Sequence, residues 1–183
     1  FWKCALQVNP SGYIAHRGGD HGMTEEEYNR ELLRICQEEG IKIIGLAEHG
    51  NVDAIDNIRE VMAQQGIVVF PGFEIASSEK AHFVCLFPET TTTDQLNRYL
   101  GNLGLTNPTD GVWPSNLGGN DLLSKVDKLG GVAYAAHCVD DNGVLFRKLH
   151  HVWQNPLLKA AQIPGTLDDL RNGEGNRYRQ ALL

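Results

Sequence analysis

The chain has 183 residues, 42% of them hydrophobic, and a formal net charge of -7. That length can bury a proper core as one domain, and the acidic balance supplies no global basic field for nucleic acid or membrane, so any phosphate contact must come from local Arg, Lys or metal. No apolar run approaches the about 20 residues needed to span a bilayer, and no signal peptide is visible, so a cytoplasmic protein is expected.

Taken in order, Trp2–Val8 has apolar residues at alternating positions and predicts a strand. Thr24-Glu25-Glu26-Glu27 predicts a helix start, with Thr24 as cap and acidic residues in the first turn. Leu32, Leu33, Ile35 and Cys36 give that helix one apolar face, and Gly40 ends it. Ile41–Ala47 is almost unbroken apolar sequence, as in a strand covered on both faces. A second helix is expected from about Val52 to Gln65, closed by Gly66, then a buried strand Ile67–Phe70 broken by Pro71-Gly72. A strand over Ala81–Phe87 follows closely enough for an antiparallel pair. Asp94–Leu103 and Asn120–Leu129 predict helices around a long polar loop, Asn107–Gly119, and Gly130-Gly131 leads into a strand over Val132–Ala136. Alternating strands and helices predict an α/β barrel or open sheet. Phe1 is not an initiator Met, and Arg179–Leu183 lacks a Gly or Pro stop, so a piece of a longer protein is expected.

Cys4, Cys36, Cys85 and Cys138 lack C-x-x-C spacing, which argues against a zinc knuckle. Three lie in or beside apolar stretches and suit small buried residues in a reducing compartment. His49, Glu74, His82 and His137 carry more information, because each stands where β-type sequence meets a loop. In α/β folds ligands gather at the carboxyl ends of parallel strands, so the four are expected to converge on one pocket. Glu74 follows Pro71-Gly72-Phe73 in apolar surroundings, where an unpaired carboxylate is costly and a cation is its natural partner. A turn can bring His82 back beside it. No H-E-x-x-H or G-x-S-x-G motif is present, which removes the metalloprotease and serine-hydrolase alternatives. Arg147, Lys148, His150 and His151 read as a solvated helix face in preference to a phosphate contact.

Glu48-His49-Gly50-Asn51, Pro71-Gly72-Phe73-Glu74-Ile75, His82 and Ala135-Ala136-His137 resemble, in order, the motifs of the polymerase and histidinol phosphatase (PHP) family. The resemblance implies a distorted (β/α)7 barrel, incomplete in this chain, with up to three divalent metal ions (zinc, manganese or magnesium). It implies hydrolysis of a phosphate-containing substrate, a nucleotide or nucleic acid, with water as the nucleophile. The opening Phe1-Trp2-Lys3 and the long polar loop are most similar to PHP domains at the N-terminus of large SMC-like ATPases, some of which act in phage defence. The implied organisation is a single domain over residues 1–183 fused or bound to such an ATPase, with an oligomer left open.

By that resemblance Glu74, His82 and His137 match one complete metal position. His49 matches part of another and would bind or orient substrate phosphate, with His16, Asp20 or His21 as loop ligands. The family's first-strand histidines are replaced by Gln7 and Asn9, Glu48 stands where Asp is usual, and no His follows His151 to form the closing Asp-x-His motif. Carboxamides are weak ligands beside imidazole and carboxylate. Two metals about 3.5–4 Å apart normally clamp the attacking and leaving oxygens, so a weakened position should lower the rate. Three readings follow: a phosphoesterase with a degraded site, a PHP-like domain kept for assembly or regulation of an attached ATPase, and a metal-free binding module.

Overall fold

The apolar run from Ile41 becomes the centre of the fold in the computed structural model, which describes residues 1–13, 22–105 and 113–163. Strand β1 (Lys3–Val8) leads to helix α1 (Glu25–Glu38), then β2 (Ile41–Leu46), the two-residue β3 (Glu48–His49), and α2 (Ile55–Ala63). Next come β4 (Val68–Phe70), β5 (Gly72–Ala76), β6 (His82–Leu86), α3 (Thr93–Asn102), α4 (Gly119–Lys128), β7 (Val132–Ala135) and the short α5 (His150–Trp153). Helix α1 starts as its sequence dictates. The Thr24 side chain accepts from the Glu27 backbone N–H while the Glu27 carboxylate accepts from the Thr24 N–H, so both orphan donors are satisfied. Thr92 and Gln95 cap α3 in the same way.

Among the described residues the strands form two sheets and no closed barrel. The order β1-β2-β4 is parallel throughout, while in β3-β5-β6-β7 only the first pair is parallel. Two stretches of chain pass from one sheet to the other after a single residue, at Ala47 between β2 and β3 and at Pro71 between β4 and β5. Pro71-Gly72 therefore does not end the strand region, as its turn chemistry suggested. Proline lacks a ladder donor, but its carbonyl accepts from Phe87 N–H at 2.9 Å, and Gly72 is the first residue of a new strand. The expected β4–β6 hairpin is instead the antiparallel pair β5–β6.

Alternation along the strands separates two apolar clusters. Phe73, Ile75, Phe83, Cys85 and Ala133 join the main core with residues of α1–α4, including Cys36, Ile58, Leu96 and Leu122. The opposite face carries the small cluster of Ala47, Val84 and Ala136, edged by Leu86 and Tyr134. Glu74 pairs with Val84, and Val84 with Tyr134, so these three share that second face. The Tyr134 hydroxyl donates to the Leu6 carbonyl at 3.0 Å, tying the second sheet to β1. Cys36, Cys85 and Cys138 are buried free thiols. No described helix is long and apolar enough to cross a membrane.

Helix α4 begins at Gly118, which has no capping side chain. Glu79 replaces it, its two carboxylate oxygens lying 3.3 and 3.1 Å from the Gly119 N–H. Burial raises the Glu79 pKa, but hydrogen bonds from Ser77, its own backbone and Gly119 outweigh that and leave it below the usual carboxylate value. A depressed folded-state pKa gives stability that is present above the unfolded value and lost as pH falls. Glu79→Ala should cost about 1 kcal/mol near neutral pH. In thermal unfolding, its deficit against the native chain should shrink at about pH 3.

Candidate metal centre

His49, Glu74, His82 and His137 reach one place by different local devices. His49 ends β3 and pairs with Glu74 in the parallel register. Glu74 lies in the middle of β5, a strand with every residue buried. His82 opens β6 opposite Ala76, which puts it on the same face as Glu74. The turn between them is closed by the Ser77 N–H donating to the Ala81 carbonyl at 2.8 Å. His137 follows β7 with a φ of 28°, a left-handed conformation that non-glycine residues seldom adopt. The four thus converge as expected. However, Glu74 sits mid-strand and His82 at a strand start, because β5–β6 is antiparallel and folds one strand back over the other.

Glu74 is the hub. Its Oε1 lies 2.7 Å from His82 Nδ1, 3.1 Å from His49 Nε2 and 3.7 Å from His137 Nε2. Its Oε2 accepts from the Gln7 side-chain amide at 2.6 Å. The His82 ring centroid is 5.4 Å from that of His49 and 5.2 Å from that of His137. His49 is held from behind by Tyr13, whose hydroxyl is 3.0 Å from Nδ1 and whose ring stacks at 5.6 Å. His137 has no such support on its ring, as its Nδ1 is buried without a partner.

Glu74 is 2% exposed. Burial alone would push its carboxyl up, but the imidazoles of His137, His49 and His82 gathered around it outweigh that and hold it well below the usual carboxylate range. The same contact with Glu74 raises the His137 imidazole against the opposing effect of burial. In the metal-free chain, the Glu74 contribution to stability is lost as pH falls below the ordinary carboxylate value. The His137 contribution is present below the ordinary imidazole value and lost as pH rises through the elevated one. Thermal stability of the metal-free chain should therefore peak between those limits, at about pH 5–6, and His137→Ala should flatten its alkaline side.

The donor set fits a divalent cation. Ligand atoms of His49, Glu74 and His82 all lie within 4.8 Å of one another, and His137 stands at the margin of this group. Three imidazoles and one carboxylate suit zinc or a similar first-row ion. Gln7 also faces the centre, so the first strand still addresses it. Asn9 follows β1, and its backbone carbonyl accepts from the Tyr28 hydroxyl at 2.9 Å. His16, Asp20 and His21 lie outside the described residues. The basic set is not one helix face, since Arg147 and Lys148 precede α5, and Arg147 hydrogen-bonds Asn142.

Three contributors were not singled out in the sequence as parts of the site. Tyr13 gives no local signal. Gly143 is foreshadowed by the turn dipeptide Asn142-Gly143; a Cβ there would come within 2.5 Å of the His137 and Cys138 backbones. Gln162, a lone amide near the end of the described chain, accepts the His137 backbone N–H at 3.1 Å.

No family model matches the chain. An uncharacterized protein of Methanocaldococcus jannaschii is 26% identical over 125 residues, which are 68% of this chain and 16% of that protein. The lesion-specific endonuclease Q of Pyrococcus furiosus superposes with a TM-score of 0.63 at 12% identity, over 87% of this chain and 41% of its own. Endonuclease Q bound to a 27-mer duplex with an abasic lesion at its active site gives a TM-score of 0.60 at 13% identity, over 86% and 41%. A protein of Bifidobacterium adolescentis assigned as a metal-dependent phosphoesterase gives 0.55 at 12% identity, over 100% and 84%. The chain has the PHP-type fold. It spans less than half of endonuclease Q and about a sixth of the archaeal relative. The incomplete barrel foreseen from the PHP motifs agrees with the two open sheets of the described residues.

Proposed function

We propose that this chain is a metal-dependent phosphoesterase domain acting on a nucleotide or nucleic-acid phosphate, with one metal position weakened. The observation that carries this reading is the buried Glu74 carboxylate facing three imidazoles. The likeness to a phosphoesterase and to an endonuclease supports the substrate class. Glu74, His82 and His49 would hold the ion, joined by His137. A divalent ion bound there supplies Lewis acidity that makes a phosphoester open to attack by water. The chain's own part is to fix the carboxylate by Gln7, to orient His49 through Tyr13, and to keep the floor of the site apolar with Val84, Ala47 and Ala136. His49, 23% exposed on its side chain, is placed to meet the substrate phosphate.

A second reading is supported by Gln7. Its neutral amide N–H occupies Glu74 Oε2, the oxygen available to a second cation. A PHP-type domain with impaired catalysis, serving assembly or regulation of an attached SMC-like ATPase, follows from this. The ATPase link and phage defence rest on the sequence resemblance alone, and a cytoplasmic setting on the sequence's lack of a visible signal peptide or long apolar run; all three are part of the proposal.

Turnover of a chromogenic phosphodiester with zinc, manganese or magnesium tests both readings. Weak turnover that disappears in Glu74→Gln supports the enzyme, whereas metal binding without turnover favours the regulatory domain. Failure to bind any of the three ions would overturn both. Gln7→His with Asn9→His should raise the metal content of stripped and reloaded protein, since imidazole is the stronger ligand for zinc-like ions. Unchanged stoichiometry in a folded double variant would show that replacing the carboxamides does not restore a metal position.

A further inference from the structure

We infer that Gln162 is the positioning residue that holds His137 in the metal centre. The inference rests on the proposed metal site but concerns a residue outside it. His137 is the outlying member of the four, 3.7 Å from Glu74 Oε1 where His82 is at 2.7 Å and His49 at 3.1 Å. Its ring receives no hydrogen bond at the buried Nδ1. Its backbone is in the left-handed region at φ 28°, a conformation that persists only where surrounding contacts over-determine it. Something other than the ring's own partners must therefore set its direction.

The chain around Gln162 does so from one side. Residues 160–162 run parallel beside β7 through a bridge between Ala135 and Ala161. Ala135 N–H donates to the Ala160 carbonyl at 3.1 Å, and Gln162 N–H donates to the Ala135 carbonyl at 2.8 Å. Beyond the strained residue, Cys138 N–H donates to the Gln162 carbonyl at 2.9 Å. Between these two backbone anchors the Gln162 side-chain oxygen accepts the His137 N–H at 3.1 Å. One residue thus grips positions 135, 137 and 138. The His137 N–H, which has no backbone carbonyl as acceptor among the described residues, finds its acceptor in that side chain. A residue without an oxygen at this reach leaves the N–H without it and lets the peptide rotate back, carrying the imidazole away from Glu74.

The test is a substitution series on the whole chain with two readouts. In the metal-free protein, nuclear Overhauser contacts between the His137 and His82 rings report position, since their centroids lie 5.2 Å apart. Zinc affinity by chelator competition reports the consequence. Gln162→Leu removes the acceptor, Gln162→Asn withdraws it by one methylene, and Gln162→Glu retains it. The ring contact should be lost in the first two and kept in Gln162→Glu. Zinc binding should weaken about 10- to 100-fold in the first two, the range for losing an outer-shell partner. In a His137→Ala background, Gln162→Leu should weaken zinc no further. Ring contacts preserved in Gln162→Leu and Gln162→Asn, or an equal loss of zinc affinity with and without His137, would overturn the inference. A native chain that takes up none of zinc, manganese or magnesium would sink the phosphoesterase reading, while the ring contacts would still decide the role of Gln162.

Discussion

Glu74→Gln is expected to weaken zinc binding by at least about 100-fold while leaving the fold intact, a larger loss than the about 10- to 100-fold typical of outer-shell changes. The change is nearly isosteric but removes the one anionic ligand. In the native chain a single carboxylate oxygen faces all three imidazoles, while the other accepts from Gln7 at 2.6 Å. An amide offers one acceptor and one donor group. If its oxygen keeps the histidines, its NH2 meets the NH2 of Gln7. If it keeps Gln7, its NH2 meets the histidines. Either orientation mismatches hydrogen bonds in a site that is almost fully buried, and neither supplies charge to a cation. Competition against a chromophoric chelator measures the loss, and circular dichroism confirms folding. An affinity within about threefold of native would mean that the carboxylate is not a ligand.

Gly72→Ala is the second large effect, and it acts through the strand that carries Glu74. An added Cβ would stand 2.0 Å from the Cys85 carbonyl oxygen and 2.9 Å from a Leu86 methyl. The first of these is backbone in the paired strand β6, so relief requires β5 and β6 to separate. Overpacking of this kind costs about 3 kcal/mol. Urea unfolding should show a lower midpoint at unchanged slope, the signature of lost stability without a change in compactness. Because Glu74 and His82 sit on these two strands, zinc affinity should fall with it. A loss below about 0.5 kcal/mol would show that the sheet yields without strain.

Gly72 also shows where sequence reading stopped short. Pro71-Gly72 has the chemistry of a turn, and a strand break was its natural interpretation. The glycine is needed for a different reason, the close approach of a neighbouring strand, and that cause lies at Cys85, thirteen positions away along the chain. Local signals fared better. Thr24 with Glu27 marked the start of α1, Gly40 its end, and the apolar run from Ile41 a covered strand, because caps and burial patterns are written in adjacent residues. The convergence of His49, Glu74, His82 and His137 was legible from ordered motifs at element boundaries. The supports of that site were not. Tyr13 behind His49 and Gln162 behind His137 act through contacts between segments 36 and 25 residues apart, and neither residue type announces such a role.

One ion held at the Glu74 carboxylate is the centre of the proposed chemistry. Zinc-edge anomalous diffraction from crystals of stripped and reloaded protein tests this most directly. The predicted result is a peak within bonding distance of Glu74, His49, His82 and His137, about 2.0–2.2 Å from each ligand atom. No peak in the presence of excess zinc, or a peak bound elsewhere while Glu74 keeps only its histidine contacts, would contradict it.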